Sequence, residues 1–133
     1  MTFARTTALP LTAAFMLLSG AAIAQDDAGA DDARLAFNNH CRTCHTTNEG
    51  DNRLGPSLYG VVGREAASLP DFAYSSALAN ADLVWDEETL DRFIENPDSV
   101  VSGNNMKPFA GVSSIDERAK IIAHLKAEGE GGG

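Results

Sequence analysis

With 133 residues and a net charge of −9, the chain has room for one small domain and is a poor match for nucleic acid or an anionic membrane surface. Its two cysteines are too few for a disulfide framework or a cysteine-built zinc cage. Residues 1–24 read as a secretory signal peptide. Arg5 supplies the positive start, an apolar run covers 8–18, and Ala22-Ile23-Ala24 is an A-x-A cleavage site ahead of Gln25. Thr12 and Ser19 interrupt the apolar region, so cleavage is expected rather than retention as a membrane anchor. No later segment is long and apolar enough to span a bilayer. Cleavage removes one base and no acid, taking the net charge from −9 to −10. The expected product is a soluble protein of the periplasm.

Residues 25–32 are acidic, mixed with Gly and Ala, and are expected to form a flexible arm. The domain proper is expected over 33–127. Its first helix is predicted to start near Asp31 or Asp32 and to carry Leu35, Ala36 and Phe37 towards His40, with the acids at the positive end of its dipole. Residues 46–57 are rich in Thr, Asn, Gly and Asp and read as loop, with Gly55-Pro56 as a turn signal. A short apolar patch, 58–62, ends at Gly63. A short helix is predicted over 74–80. Another follows Asp86 as N-cap, placing Leu90, Phe93 and Ile94 on one face and stopping before Pro97. Residues 102–108 are loop. Ser114-Ile115-Asp116-Glu117 is a capping box opening a last helix, with Ile115, Ala119, Ile122 and Leu125 as its apolar stripe and Ile121 beside it. Residues 128–133 are expected to be a flexible Gly-rich tail. There is no internal repeat and little strand signal, so the fold class is all-α with long loops.

The chemistry lies in Cys41-Arg42-Thr43-Cys44-His45. C-x-x-C-H is the attachment signature of a c-type haem: each thiol adds to a vinyl group, and the following histidine reaches the iron. A zinc site is the poorer alternative, because His40, Cys41, Cys44 and His45 are too close in sequence to close a tetrahedron. A thioredoxin-like dithiol would need a βαβ pattern that is absent. One covalent haem c is therefore the expected cofactor, and it would give a small chain a large apolar body to fold around. The expected export agrees with this chemistry.

Haem iron needs a sixth ligand or an open position. Met1 and Met16 leave with the signal, so Met106 is the one methionine of the mature chain. It sits in a polar loop beside Lys107 and Pro108, where filling a core is less natural than ligation. His40 abuts Cys41, His124 reads as a packed helix residue, and Lys107 could compete only when deprotonated. The expected axial ligands are His45 and Met106.

With these residues in place the chain resembles the class I c-type cytochromes, in the branch of mitochondrial cytochrome c and bacterial periplasmic carriers. The resemblance runs from about Ala33 to Leu125. It rests on the haem motif, Gly55-Pro56-Ser57-Leu58, Gly63-Arg64, Tyr74, Trp85, Glu88-Thr89-Leu90, Glu95-Asn96-Pro97, Gly103-Asn104-Asn105-Met106 and Phe109-Ala110-Gly111. It implies the small cytochrome c fold, with helices and long loops wrapped around one haem. It also implies that the Pro56 carbonyl fixes the His45 tautomer, that Tyr74 and Trp85 donate to a haem propionate with Arg64 nearby, and that Phe37 packs where the first and last helices cross. The implied function is a monomeric one-electron carrier rather than an enzyme. Its donor would be a cytochrome bc-type complex or a periplasmic dehydrogenase, and its acceptor a terminal oxidase or photosynthetic reaction centre. A haem peroxidase or gas sensor would need the distal position that Met106 fills.

The chain also departs from its resemblance. Ala33 and His124 replace a glycine and an aromatic that face each other at the helix crossing, and Phe93 replaces a tyrosine. Lys107-Pro108 lengthens the methionine loop by one residue relative to mitochondrial members. Asp98 and Ser99 stand where mitochondrial members carry lysines, which leaves the identity of the partner open.

Overall fold

The computed structural model describes residue 2 and residues 23–131, so the expected signal peptide lies largely outside the described residues. Among the described residues five helices follow one another: α1 Ile23–His40, α2 Ser76–Ala79, α3 Glu87–Glu95, α4 Pro97–Val100 and α5 Ile115–Glu130. Among the described residues the only β pairing is a single antiparallel bridge, Glu65 to Val84. The architecture is all-α, as the sequence implies.

The N-cap signals act where they stand. Asp86 accepts from the Thr89 N–H at the start of α3, and Ser114 accepts from the Glu117 N–H at the start of α5. Glu117 turns its carboxylate to His40 Nε2, at 3.4 Å, and so ties the two long helices together. Asn96 serves twice, as C-cap of α3 and N-cap of α4, with Pro97 at the first position of the short helix.

The core forms where α1, α3 and α5 meet. Ala36 and Phe37 face Ile121 and Leu125, while Leu90, Phe93 and Ile94 close the third side. Each large aliphatic or aromatic side chain buried here contributes about 1.5–3 kcal/mol. Trp85 brings the 80s loop into this core, edge-on to Phe93 at 4.8 Å. At the α1–α5 crossing the ring of His124 packs on Phe37 at 4.8 Å, and Ala33 is 7% exposed. Ala33 and His124 are therefore both buried.

Three expectations are corrected. Residues 25–32 belong to α1 rather than to a flexible arm. The segment has no proline, carries alanines, and places its acids near the positive end of the helix dipole, so the helix continues back to Ile23. Residues 27–32 are all exposed, and packing begins at Ala33. The tail does not begin at Glu128, because α5 runs to Glu130. Two contacts hold its end: Thr47 Oγ1 donates to Glu128 at 3.1 Å, and Gly129 lies so close to Gly60 that a Cβ there would sit 3.1 Å from the Gly60 Cα. The inner face of α5 is also rotated from the predicted stripe. Ile115 is 74% exposed and Ala119 is exposed, whereas Arg118, Ile121, Ile122, His124 and Leu125 are buried.

Arg118 occupies an inner position of that face. Its guanidinium meets Asp91 of α3 at 2.7 Å and donates at 3.0 Å to the carbonyls of Val112 and Ser113, with Glu95 at 3.6 Å. A buried charge is tolerated when its donors are satisfied in this way. The Asp91 hydrogen bond also holds its pKa above the ordinary arginine value.

Candidate haem site

The C-x-x-C-H segment continues α1 as one further turn. The Cys41 N–H bonds the Phe37 carbonyl at 2.8 Å, and the N–H groups of Cys44 and His45 both reach the Cys41 carbonyl, at 3.1 and 3.0 Å. The turn places two free thiols three residues apart, with Cys41 against the core and Cys44 half-buried. Burial first, and the neighbouring Cys44 second, push the Cys41 thiol up to about 12. A thiol so hard to ionise is the opposite of an activated redox dithiol.

His45 is 8% exposed. Its Nδ1 lies 2.8 Å from the carbonyl oxygen of Pro56. A carbonyl only accepts, so Nδ1 carries the proton and Nε2 keeps its lone pair. Burial lowers the pKa of the ring, with the Pro56 bond acting in the other direction, so the imidazole is held neutral. The ring therefore offers one defined donor atom.

The loop that presents Pro56 is fastened on both sides. Gly55 N–H bonds the Cys44 carbonyl at 2.8 Å, Ser57 N–H bonds Asn52 Oδ1 at 2.9 Å, and Leu58 N–H bonds the Thr46 carbonyl at 2.8 Å. Ser57 is fully buried and donates to the Asn48 carbonyl at 2.6 Å. Asn48 and Asn52 were not singled out by the sequence, and Ser57 only as part of its block, though Asn and Ser in a Gly-rich loop commonly bond nearby backbone.

Arg64 and Trp85 are brought side by side by the 63–66 and 83–85 segments, where the Trp85 N–H bonds the Arg64 carbonyl at 2.8 Å. The Arg64 guanidinium donates to the carbonyls of Tyr59 and Ser57, at 2.9 and 3.0 Å. Burial lowers its pKa, and the Tyr74 phenol is near enough to oppose this. Tyr74 also accepts from the Leu69 N–H at 3.4 Å and stands edge-on to Phe72. Trp85 is 8% exposed.

Met106 lies in the α4–α5 loop, half-buried and packed against the core with Phe109. Gly103 and Asn105 both take left-handed backbone, with φ of 84° and 65°. Between them Asn104, 4% exposed, accepts from the Met106 N–H at 2.7 Å. Among the described residues, no group of three or more His, Cys, Asp and Glu side chains is placed to hold a bare metal ion.

The donor set fits a haem c. It combines two free thiols at the attachment spacing, a neutral imidazole with its Nε2 lone pair free of the Pro56 bond, and a thioether on a separate loop. Partly buried apolar side chains from several segments, among them Leu58, Val62, Leu78 and Leu83, pack around the core beside Cys41 and Met106.

No family model matches the chain. Individual relatives do. Cytochrome c of Euglena viridis is 41% identical over 97 residues, which is 73% of this chain and 94% of that protein. Cytochrome c2 iso-2 of Magnetospirillum fulvum is 43% identical over 96 residues, 72% of this chain and 98% of that one. Among solved structures, cytochrome cH from Methylobacterium extorquens superposes with a TM-score of 0.67 at 36% identity, covering 74% of this chain and 97% of its own. The chain belongs to the class I c-type cytochromes, all-α proteins that carry one covalent haem c.

Proposed function

We propose that the protein is a soluble periplasmic one-electron carrier, with its haem joined to Cys41 and Cys44 and ligated by His45 and Met106. The observation that carries the reading is the His45–Pro56 bond of 2.8 Å, which aims a neutral imidazole from the residue directly after two free thiols. Its family membership supports electron transport as the role. When bound, the haem supplies an iron that accepts and gives up one electron.

The residues of the chain set the conditions for that exchange. Cys41 and Cys44 would hold the haem through two thioether bonds, each S–H adding across one vinyl group. Pro56 keeps the His45 ring from rotating and leaves Nε2 as its donor. The Met106 thioether is a soft ligand that favours the reduced iron and so raises the potential. With His45 and Met106 both holding the iron, little would have to move as its charge changes. Arg64, half-buried and disfavoured by its own desolvation, would gain from an anionic propionate, with Tyr74 and Trp85 available as further donors. No substrate is bound or transformed. Electrons would come from a cytochrome bc-type complex or a dehydrogenase and leave to an oxidase or a reaction centre.

The test is the visible spectrum of protein exported from a host that matures c-type cytochromes. A weak far-red band in the ferric form that vanishes on reduction is expected for His45/Met106 ligation. Met106→Ala is expected to abolish that band, open the iron to carbon monoxide when reduced, and lower the potential. An unchanged band and potential in Met106→Ala would remove the ligand assignment. A wild-type protein that binds carbon monoxide readily at neutral pH would turn the search towards an enzyme or a sensor.

A further inference from the structure

The methionine loop is held from outside by one carboxylate. Asp98, in the first turn of α4, uses its two oxygens on two different residues of the loop. Its Oδ1 accepts from Asn104 Nδ2 at 2.9 Å, and its Oδ2 accepts from Lys107 Nζ at 2.9 Å. Those residues lie on either side of Met106. Asn104 is saturated: its Nδ2 also donates to the Val101 carbonyl at 2.9 Å, and its Oδ1 takes the Met106 N–H at 2.7 Å. A continuous path of hydrogen bonds therefore runs from Asp98 through the Asn104 carboxamide to the backbone of Met106. The platform beneath it is fixed. Asn96 caps α4, Pro97 is buried, and the Val101 N–H closes the turn onto the Pro97 carbonyl at 2.9 Å.

We infer that Asp98 is a positioning residue for the sixth ligand: with Asn104 it holds the Met106 loop in the closed, ligating arrangement and sets how readily an external ligand displaces the thioether. This rests on the reading of Met106 as the axial ligand. A loop that must be ordered for each ligation event opposes that event with its conformational entropy. Bonds already made to α4 remove part of that opposition. The two arms of the clamp are unequal. Lys107 is 73% exposed and its carboxylate partner 50% exposed, so this ion pair is weak and screened by salt. Asn104 is 4% exposed, and the Asp98–Asn104 bond is charge-assisted on its acceptor side. The Lys107 hydrogen bond holds the Asp98 pKa below the ordinary carboxylate value, so the acceptor is ionised at neutral pH. The Asn104 arm is the one that controls the loop.

The experiment titrates imidazole into the ferric holoprotein and follows the loss of the far-red band, for wild type, Asp98→Ala, Asp98→Asn and Lys107→Ala. Losing a charge-assisted bond of the usual strength makes Asp98→Ala bind imidazole about tenfold more tightly. Asp98→Asn keeps an oxygen that can accept from Asn104 and is expected to recover most of the wild-type resistance. Lys107→Ala is expected to shift binding about twofold or less. If the band is present and Asp98→Ala binds imidazole as wild type does, the inference is overturned and the Met106 assignment stands, whatever happens to the unfolding midpoint. If Lys107→Ala matches Asp98→Ala while Asp98→Asn recovers nothing, the Asn104 arm is not the controlling one and the inference fails in that form. If wild type has no far-red band, the Met106 reading falls, and the inference falls with it.

Discussion

At the scale of single residues, the site depends on one atom that is missing. Gly55 is buried against the His45 imidazole, and a Cβ there would collide with Cε1 and come within 2.6 Å of Nδ1 and 2.8 Å of Nε2. The glycine serves as space. Gly55→Ala must tilt the ring away from Pro56 or push the loop off it. Overpacking of this kind costs about 1–3 kcal/mol. A lower denaturant midpoint with unchanged slope, together with a perturbed ferric spectrum, is expected. A variant with the wild-type midpoint and spectrum would show that the ring has room to yield. The motif residues were legible in the sequence because they are contiguous: Cys41, Cys44 and His45 share one turn, and Gly55-Pro56 is a recognisable block. The sequence reaches Met106 by elimination, and its ligation is proposed. The parts played by Asn52, Ser57 and Asp98 were not legible, because they depend on which backbone group or loop each side chain reaches, and polar residues in loops have many such options.

At the scale of elements, the contact between α1 and α5 carries an ionisable group. His124 is 9% exposed against Phe37, with Glu128 of its own helix at 3.9 Å. Burial pushes its pKa below the ordinary 6.5; Glu128 acts upward, and Arg34 of α1 acts downward. The unfolded chain therefore takes up this proton at a higher pH than the folded one. The contribution of His124 is unchanged above about pH 6.5, and stability falls as the pH drops below it. The slope is at most ~1.4 kcal/mol per pH unit, and less because the side facing half-exposed Glu128 is screened by solvent. His40, 3.4 Å from Glu117 on the same pair of helices, is a second ionisable link that His124→Phe leaves in place. Comparing unfolding midpoints of wild type and His124→Phe from pH 7.5 to 5 should show a flatter curve in the variant; parallel curves would mean the His124 proton is taken up equally in both states. Helix positions were readable from caps and apolar spacing, as at Asp86, Ser114 and the Leu90/Phe93/Ile94 face. The inner face of α5 was not, because the true i, i+3, i+4, i+7 set of Arg118, Ile121, Ile122 and Leu125 has a charge in its first place. Only the distant Asp91 and the 112–113 carbonyls make that position internal. The extension of α1 was missed for a different reason. Its residues bury nothing from 27 to 32, so there was no periodic signal to read.

At the scale of the whole molecule, the field follows from how the charges are paired. Lys107, Lys120 and Lys126 each lie within 2.9 Å of an acid, as do Arg34 and Arg118, and Arg53 is 3.0 Å from Asp51. Most described bases are neutralised locally, and the excess that remains is acidic, with a net charge of −9. Such a surface should steer towards a partner with a basic docking patch and away from an acidic one. Small redox reagents test this without knowing the partner. Oxidation of the ferrous protein by a cationic cobalt complex should slow as ionic strength rises, and oxidation by anionic ferricyanide should quicken. The effect should be concentrated below ~0.1 M salt, where the Debye length exceeds about 10 Å. A roughly tenfold span between the extremes is within the reach of such steering. The sign decides the argument. If the cationic reagent quickens with salt, then the edge through which the electron leaves is locally positive despite the net charge. Docking would then be governed by those described bases that stand outside the ion pairs above, Arg42 at the haem motif first among them.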